Sequence, residues 1–382
     1  MNHDWKEVTI GEITSSCLVK MLDKSKNKGE YQPYLANVNV RWGGFDLSNL
    51  PTMRFEESEQ ERYGLKYGDI VLCEGGEPGR CAIWKEQLPN IKIQKALHRI
   101  RTCDDVNNVY LYYWFLWAGQ RGFLKSYFTG TTIQHLPGDK LKSIRLHIPP
   151  KDYQNRVATI LSSLDDKIEL NNQINENLQQ QAQAIHQMKF HRNQIESEMG
   201  MLSDICQYST ERIDLSILNT SSYYSTENML PNKEGAVRAT SLPKVSCTTK
   251  CQIGDTLVSN IRPYFKKIVY CVQECGCSTD VLCFRPRKPE LSAYVYNTLY
   301  NDRFFEYMVA GSKGTKMPMG DKQQIMRFPV YIPTADEVEK YNRIAQPFLK
   351  SIENNKRENS RLSKMRDTLL PRLICGDISL EG

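Results

Sequence analysis

No stretch of about 18 apolar residues, the length a helix needs to cross a bilayer, occurs in this 382-residue chain. Nor do its first residues show the charged, apolar and small-residue order of an export signal. Together these absences predict a cytoplasmic protein, in which the 12 cysteines are reduced thiols and disulfides are not expected. Signatures of catalysis are missing too. There is no Gly-rich loop ending in Lys-Ser or Lys-Thr and no Gly-x-Gly-x-x-Gly unit. There is also no Asn- or Asp-Pro-Pro-aromatic motif of the kind that holds a base for methyl transfer. The six histidines form no ligand pair, and no compact acid cluster with a lysine suggests a nuclease centre. A non-catalytic chain with no cofactor of its own is expected.

One group of cysteines invites a second reading. Cys247, Cys251, Cys271, Cys275, Cys277 and Cys283 lie close in sequence, and four thiolates from two near pairs can close a tetrahedral zinc site. The pairs are separated by three residues instead of two, and no such set occurs elsewhere in the chain. Cys271 and Cys283 sit in strand-like runs, with Gln273-Glu274-Cys275-Gly276 reading as the turn between them. Ordinary thiols are the expectation, and no metal.

What the chain does contain, it contains twice. Gly68-Asp69-Ile70-Val71-Leu72 returns as Gly254-Asp255-Thr256-Leu257-Val258, and Gly130-Thr131-Thr132-Ile133 returns as Gly314-Thr315-Lys316-Met317, each about half the chain later. Each copy continues into a strand-like run ending Ile148-Pro149 or Ile332-Pro333, and then into a long polar tract with helical character. This is one large unit duplicated, not a solenoid of short repeats. Four segments follow: a head over 1–150, a helix region over 151–198, a second head over 199–333, and a second helix region over 334–382.

The formal charge of +6 divides unevenly among them. The heads carry 20 basic against 17 acidic groups and 16 against 12; the helix regions carry 5 against 7 and 9 against 8. Basic heads suit phosphates and near-neutral helices suit protein, although ordinary surfaces also carry biases of this size.

From Asp152 to about Lys189 there is no proline or glycine, and Leu161, Leu164, Ile168, Leu178, Ala182 and Ile185 recur at helical spacing. Ala345, Phe348, Ile352, Leu362 and Leu369 mark the second tract. Asp152 and Asp336 stand near the starts, where an acidic group suits the helix dipole. Two amphipathic helices of about 35 residues are predicted, each with an apolar stripe too narrow to bury alone. Pairing them as an antiparallel coiled coil hides both stripes. In that phase Asn171 and Asn175 share the seam with Asn355 and Asn359, either to fix the register, since a slipped pairing leaves amides unmatched, or as partly solvated positions. A helix of that size is roughly 50 Å long at ~1.5 Å per residue, or about 15 base pairs of duplex at ~3.4 Å each.

Each head reads as mixed α and β. Strands are expected at Ile70–Cys73, Cys81–Trp84, Leu97–Arg101 and Ile144–Ile148, with a helix near Val109–Trp117. The second head offers Leu257–Ser259, Lys267–Val272, Val281–Arg285 and Phe328–Ile332, with one helix across Ala293–Tyr307. The aromatic run Tyr110, Tyr112, Tyr113, Trp114, Phe115 and Trp117 could stack on bases, but its density suits packing against a sheet better. The loops hold groups able to read a duplex: Arg80, Arg99, Arg101, Thr131, Thr132 and Gln134 in the first head, and Arg262, Lys266, Lys267, Lys313, Thr315 and Lys316 in the second. Arg pairs with guanine O6 and N7, Gln with adenine, and Thr with phosphate or a thymine methyl. Each is equally well an ordinary solvated residue.

Two heads each followed by a long helix resemble the specificity subunit of a Type I restriction-modification system. The phrases that carry the resemblance are Gly254-Asp255-Thr256-Leu257-Val258-Ser259-Asn260-Ile261-Arg262-Pro263, Lys313-Gly314-Thr315-Lys316-Met317-Pro318 and Phe328-Pro329-Val330-Tyr331-Ile332-Pro333. To these is added the tail from Met365-Arg366-Asp367 to Cys375-Gly376-Asp377-Ile378. The resemblance implies an α+β protein in which two target recognition domains are separated by two antiparallel helices, with approximate two-fold symmetry. It further implies a split double-stranded DNA target read one half per head, and two modification (methyltransferase) subunits bringing S-adenosylmethionine. Restriction (motor-nuclease) subunits using ATP and Mg complete the implied complex. The acidic Glu74-Gly75-Gly76-Glu77-Pro78-Gly79-Arg80 differs from Asn260-Ile261-Arg262-Pro263-Tyr264, so the two half-sites are expected to differ. The competing reading is a coiled-coil adaptor whose heads bind proteins. Salt dependence separates the two, since phosphate contacts make affinity fall steeply with salt.

Overall fold

A computed structural model describes residues 4–18, 28–94, 96–190, 199–378 and 380. The chain forms two compact units, Met1–Glu169 with Asn359–Gly382, and Leu170–Glu358. Each unit therefore takes in a head and a stretch of both long helices, and the compact boundaries fall inside the helices, not at their ends. Residues 191–198, assigned above to the first helix region, lie outside the described residues.

In the first unit a four-stranded sheet runs in the order Thr14–Leu18, Leu97–Thr102, Ile70–Cys73, Cys81–Ile83, antiparallel throughout. Ile70–Cys73 is buried along its whole length, as expected of a central apolar strand. Helix Asn108–Gln120 covers this sheet; the Asn107 side chain caps it by accepting from Tyr110 N at 2.9 Å. Tyr110, Tyr112, Tyr113, Trp114 and Phe115 lie inside the head, with Trp117 packed against the same core. A second sheet orders Thr52–Phe55, Glu30–Leu35 and Lys92–Ile93, the last pair parallel. Lys6–Thr9 pairs with Arg145–Ile148 immediately before the long helix Lys151–Phe190 begins.

The second unit repeats that plan. Its sheet runs Cys206–Tyr208, Val281–Pro286, Thr256–Ser259, Ile268–Tyr270, and Met199–Met201 pairs with Pro329–Tyr331 ahead of the helix Ala335–Ile374. The expected helix across Ala293–Tyr307 is two, Ser292–Tyr300 and Asp302–Ala310. Asn301 leaves the helical region at ψ 142° and its side chain caps the second piece by accepting from Arg303 N at 3.0 Å. The expected turn at Gln273–Gly276 also shifts, because Cys275–Cys277 is a strand paired with Cys247–Cys251.

Both long helices run for 40 residues. Pro347 falls within the second and Pro371 in its last turns, positions that remove a backbone donor without ending the helix. In the first unit the helices run antiparallel: Tyr153 Oη donates to Leu373 O at 3.1 Å while Arg366 reaches back to Asp165 at 2.8 Å. Leu161 is buried among Val157, Leu370 and Leu373, and Leu164, Ile168, Asn359, Leu362 and Leu369 are half-buried. The second unit pairs its stretches the same way. Asn355 Nδ2 donates to Asn175 Oδ1 at 2.9 Å, and buried Asn171 donates to Glu358 at 2.8 Å. Ile352 is buried there, with Leu178 and Phe348 half-buried.

Candidate nucleic-acid interface

Each head ends its sheet-and-helix core in a hairpin tip. In the first, Thr129 and His135 exchange backbone hydrogen bonds at 2.8 and 2.9 Å; in the second, Lys313 and Met319 do so at 2.9 and 3.0 Å. Gly130 (φ 91°) and Gly314 (φ 101°) open the two tips in the left-handed region, where a side chain is strained. A Cβ on Gly130 would stand 2.3 Å from Ile133 O, so the repeated Gly-Thr phrase is a turn requirement. It leaves Thr131, Thr132 and Gln134, and likewise Lys313, Thr315 and Lys316, exposed.

The tips are tied to the loops that follow the central strands. Leu136 N donates to Glu74 O at 2.8 Å, and Gly320 N to Asn260 O at 3.2 Å. Buried His98 donates from Nε2 to Leu136 O at 2.7 Å. Arg262 N donates to Pro318 O at 2.8 Å, and the exposed Arg262 guanidinium lies over Lys316 O at 3.5 Å. Beside this loop the second head has an open cleft of about 690 Å³, lined by Arg238, Arg262, Phe265, Lys267 and Met317 with Glu227 and Asp280. The Ser278 hydroxyl, also lining it, is buried without a hydrogen-bond partner among the described residues.

Not every expected residue reaches this face. Arg99 is 8% exposed, and its Nη1 donates to the carbonyls of Glu61, Arg62 and Gly64 at 3.0, 2.7 and 3.1 Å. It closes the end of the short helix Gln60–Tyr63 from inside the head. Arg101, two residues along the same strand and so on the same side of it, is held by the buried Asp69 carboxylate. Both guanidinium groups are thus engaged within the head. Arg80 is half-buried, bound to Glu77 at 2.8 Å and to Asn37 O at 2.8 Å. In the second head Lys266 pairs with Asp302 at 2.8 Å and Lys267 donates to Thr226 O at 2.6 Å. Lys313 pairs with Asp321 at 2.8 Å but stays in solvent.

Five of the six grouped cysteines form part of a core, and Cys247 is half-buried. Cys251, Cys271, Cys275, Cys277 and Cys283 pack in one buried cluster with Leu257 and Val281, as small apolar side chains do. Among the described residues no group of three or more His, Cys, Asp or Glu side chains is arranged to hold a metal ion. No described helix is long and apolar enough to cross a membrane.

Residues 2–180 match the family model described as the Type I restriction modification DNA specificity domain. The Type I restriction enzyme MjaIX specificity subunit of Methanocaldococcus jannaschii is 25% identical across 99% of this chain and 97% of its own length. Along almost its whole length the chain is similar to Type I specificity subunits. The HindI specificity subunit of Haemophilus influenzae is 27% identical over 49% of this chain and 41% of its own length. The crystal structure of a Type I S subunit from M. genitalium shares the fold, with a TM-score of 0.59 at 17% identity over 97% of this chain and 96% of that one.

Proposed function

We propose that this chain is the specificity subunit of a Type I restriction-modification system, that it reads a bipartite double-stranded DNA target, one half-site at each hairpin tip, and that it carries the modification and restriction subunits on its helices. The observation that supports this most is the repeat in three dimensions: the same strand order and the same tip appear in both heads, with different side chains at the tips. A shared frame with divergent loops suits two unlike half-sites. Thr131, Thr132 and Gln134 would serve one half, and Arg262, Thr315 and Lys316 the other. S-adenosylmethionine, ATP and Mg belong to the partner subunits, and the complex works in the cytoplasm.

Mapping methylated bases across the genome of cells with and without the system tests this reading. A two-part motif with a fixed gap is expected, and exchanging residues 199–333 for another second head should rewrite one part only. A single uninterrupted motif, or an exchange that rewrites both parts, overturns the reading. So does duplex binding that is indifferent to salt.

A further inference from the structure

The loop between strands Thr256–Ser259 and Ile268–Tyr270 has a backbone that its own residues resist. Arg262 (φ 49°) and Lys266 (φ 51°) both lie in the left-handed region, which long side chains avoid. They bracket Pro263, Tyr264 and Phe265, and the turn is closed by Phe265 N to Arg262 O and Lys266 N to Pro263 O, each 2.9 Å. A second left-handed pair, Asn232 (φ 53°) and Lys233 (φ 65°), grips it from outside: Asn232 N donates to Phe265 O at 2.8 Å and Lys233 N to Lys266 O at 2.9 Å. Asp302 then holds both Lys233 and Lys266 at 2.8 Å. A turn so heavily tied is rigid.

What it presents is a pair of rings. Tyr264 is 48% exposed and Phe265 38%, with ring centroids 4.7 Å apart. Arg262 flanks them on the cleft side, and the Lys267 ammonium lies 5.9 Å from the Phe265 ring centre. The first head makes the matching turn, between Ile70–Cys73 and Cys81–Ile83, with glycines in the left-handed places, Gly76 (φ 80°) and Gly79 (φ 90°), and no ring between them. Glycine would relieve the strain in the second head as well. Its absence there means that the side chains are wanted, and a strained position kept with its side chain is a mark of function.

We propose that Pro263-Tyr264-Phe265 is an aromatic wedge that stacks on the bases of the second half-site and unstacks one base step there, while Arg262 steadies the adjoining strand. This rests on the DNA-reading role proposed above. Every base offers a π-face to an aromatic ring, and apolar wedges between base steps kink the duplex where they enter. Two exposed rings with Arg262 and Lys267 beside them fit a polyanion with stacked bases better than an apolar protein groove. The inference gives the two heads different tasks: the second deforms its half-site, the first does not.

The test uses the full chain assembled with its modification subunits and duplexes carrying the site mapped by methylation, with 2-aminopurine placed at each step of both half-sites in turn. A several-fold rise in fluorescence is expected at one step of the second half-site and at none of the first. Tyr264→Ala and the double variant Tyr264→Ala/Phe265→Ala should lose that rise. Each stacked ring removed should weaken binding roughly 5- to 140-fold, and Tyr264→Phe should retain both properties. Specific binding with no fluorescence change at any step overturns the wedge and leaves the DNA-reading role standing. Absence of any sequence-specific binding by the wild-type complex overturns that role itself. If the variants fail to assemble with the modification subunits while wild-type DNA shows no unstacking, the rings bind protein and the wedge is again overturned.

Discussion

Arg101 grips Asp69 with two nitrogens at once, Nε to Oδ1 at 2.7 Å and Nη2 to Oδ2 at 2.9 Å, and the carboxylate is only 3% exposed. Asp69 also accepts from Lys66 N at 2.8 Å. The second head repeats all three contacts with Asp255, Arg285 and Gln252. The Gly-Asp phrase that announces the repeat is thus half of a staple between a turn and a neighbouring strand. Arg101→Ala leaves a buried carboxylate without its counter-charge, and a loss of about 3 kcal/mol is expected. Arg101→Lys should recover only part of it, because an ammonium cannot supply the two-pronged geometry. Denaturant unfolding of the three proteins checks this; equal stabilities would show that the staple is dispensable.

Two basic residues of the notional DNA set should separate cleanly in one experiment. Arg99→Ala removes a charged donor from three inward carbonyls and is expected to cost about 2 kcal/mol of stability. It should leave the salt dependence of duplex binding as it was. Lys316→Ala, at the exposed second tip, should do the reverse: unchanged unfolding, and a log–log salt slope lower by about 1. Arg262→Ala should weaken discrimination at one half-site by about 1–3 kcal/mol and leave the other intact, read as competition between duplexes altered in either half.

Which of these roles could be seen in the sequence follows from the range of the interactions involved. The helices and the presence of Asn175 and Asn355 on their seam depend on local periodicity and were legible; that these two face each other depends on the axial register of the pair, which heptad phase alone does not give. The tips were legible as repeated Gly-Thr phrases, since a left-handed turn leaves a local mark. Arg99 and Arg101 were not, because a strand's alternation gives their side but not what that side faces, and here it is a short helix and a buried acid contributed by residues some way back in the chain. The same holds for the parallel pairing of Tyr34-Leu35 with Lys92-Ile93, which joins distant residues. The ring-bearing turn was hidden differently: left-handed φ at Arg262 and Lys266 runs against what their residue types prefer, so local propensity pointed away from it. The break at Asn301 was within reach, since Asn before Asp is a common cap.

The seam offers a contrast between apolar and polar positions. Ile352 is buried in the second unit, and Ile352→Asp places an unpaired charge there, with an expected loss of about 3 kcal/mol and of assembly with partner subunits. Ile168→Asp, at a half-buried place in the first unit, should act in the same direction less severely. Replacing Asn175 and Asn355 together by Leu removes the amide pair at 2.9 Å and should raise the unfolding midpoint while loosening the register. Thermal unfolding with site-directed cross-linking across the seam distinguishes these results. A midpoint that falls in the double Leu variant would mean that the amides stabilise the seam outright.

His98 should make the first head sensitive to mild acid. It is buried beneath the first tip, and burial pushes its pKa below the usual 6.5, against the opposing pull of its hydrogen bond to Leu136 O. The neutral ring is therefore the folded form. In the unfolded chain the ring takes up a proton as pH falls below 6.5, while in the folded head it does not until the lower folded value is reached. Stability from this group is thus full above 6.5 and declines as pH falls through the interval beneath. His98→Gln retains a donor for Leu136 and cannot titrate, so its stability should fall less between pH 7.5 and 5.5, in the range where an ordinary histidine at about 6.5 takes up its proton. Denaturant unfolding of both proteins across that range measures the difference. Parallel curves would assign the acid sensitivity to other groups, whereas a flatter curve for His98→Gln would tie it to the residue that anchors the tip.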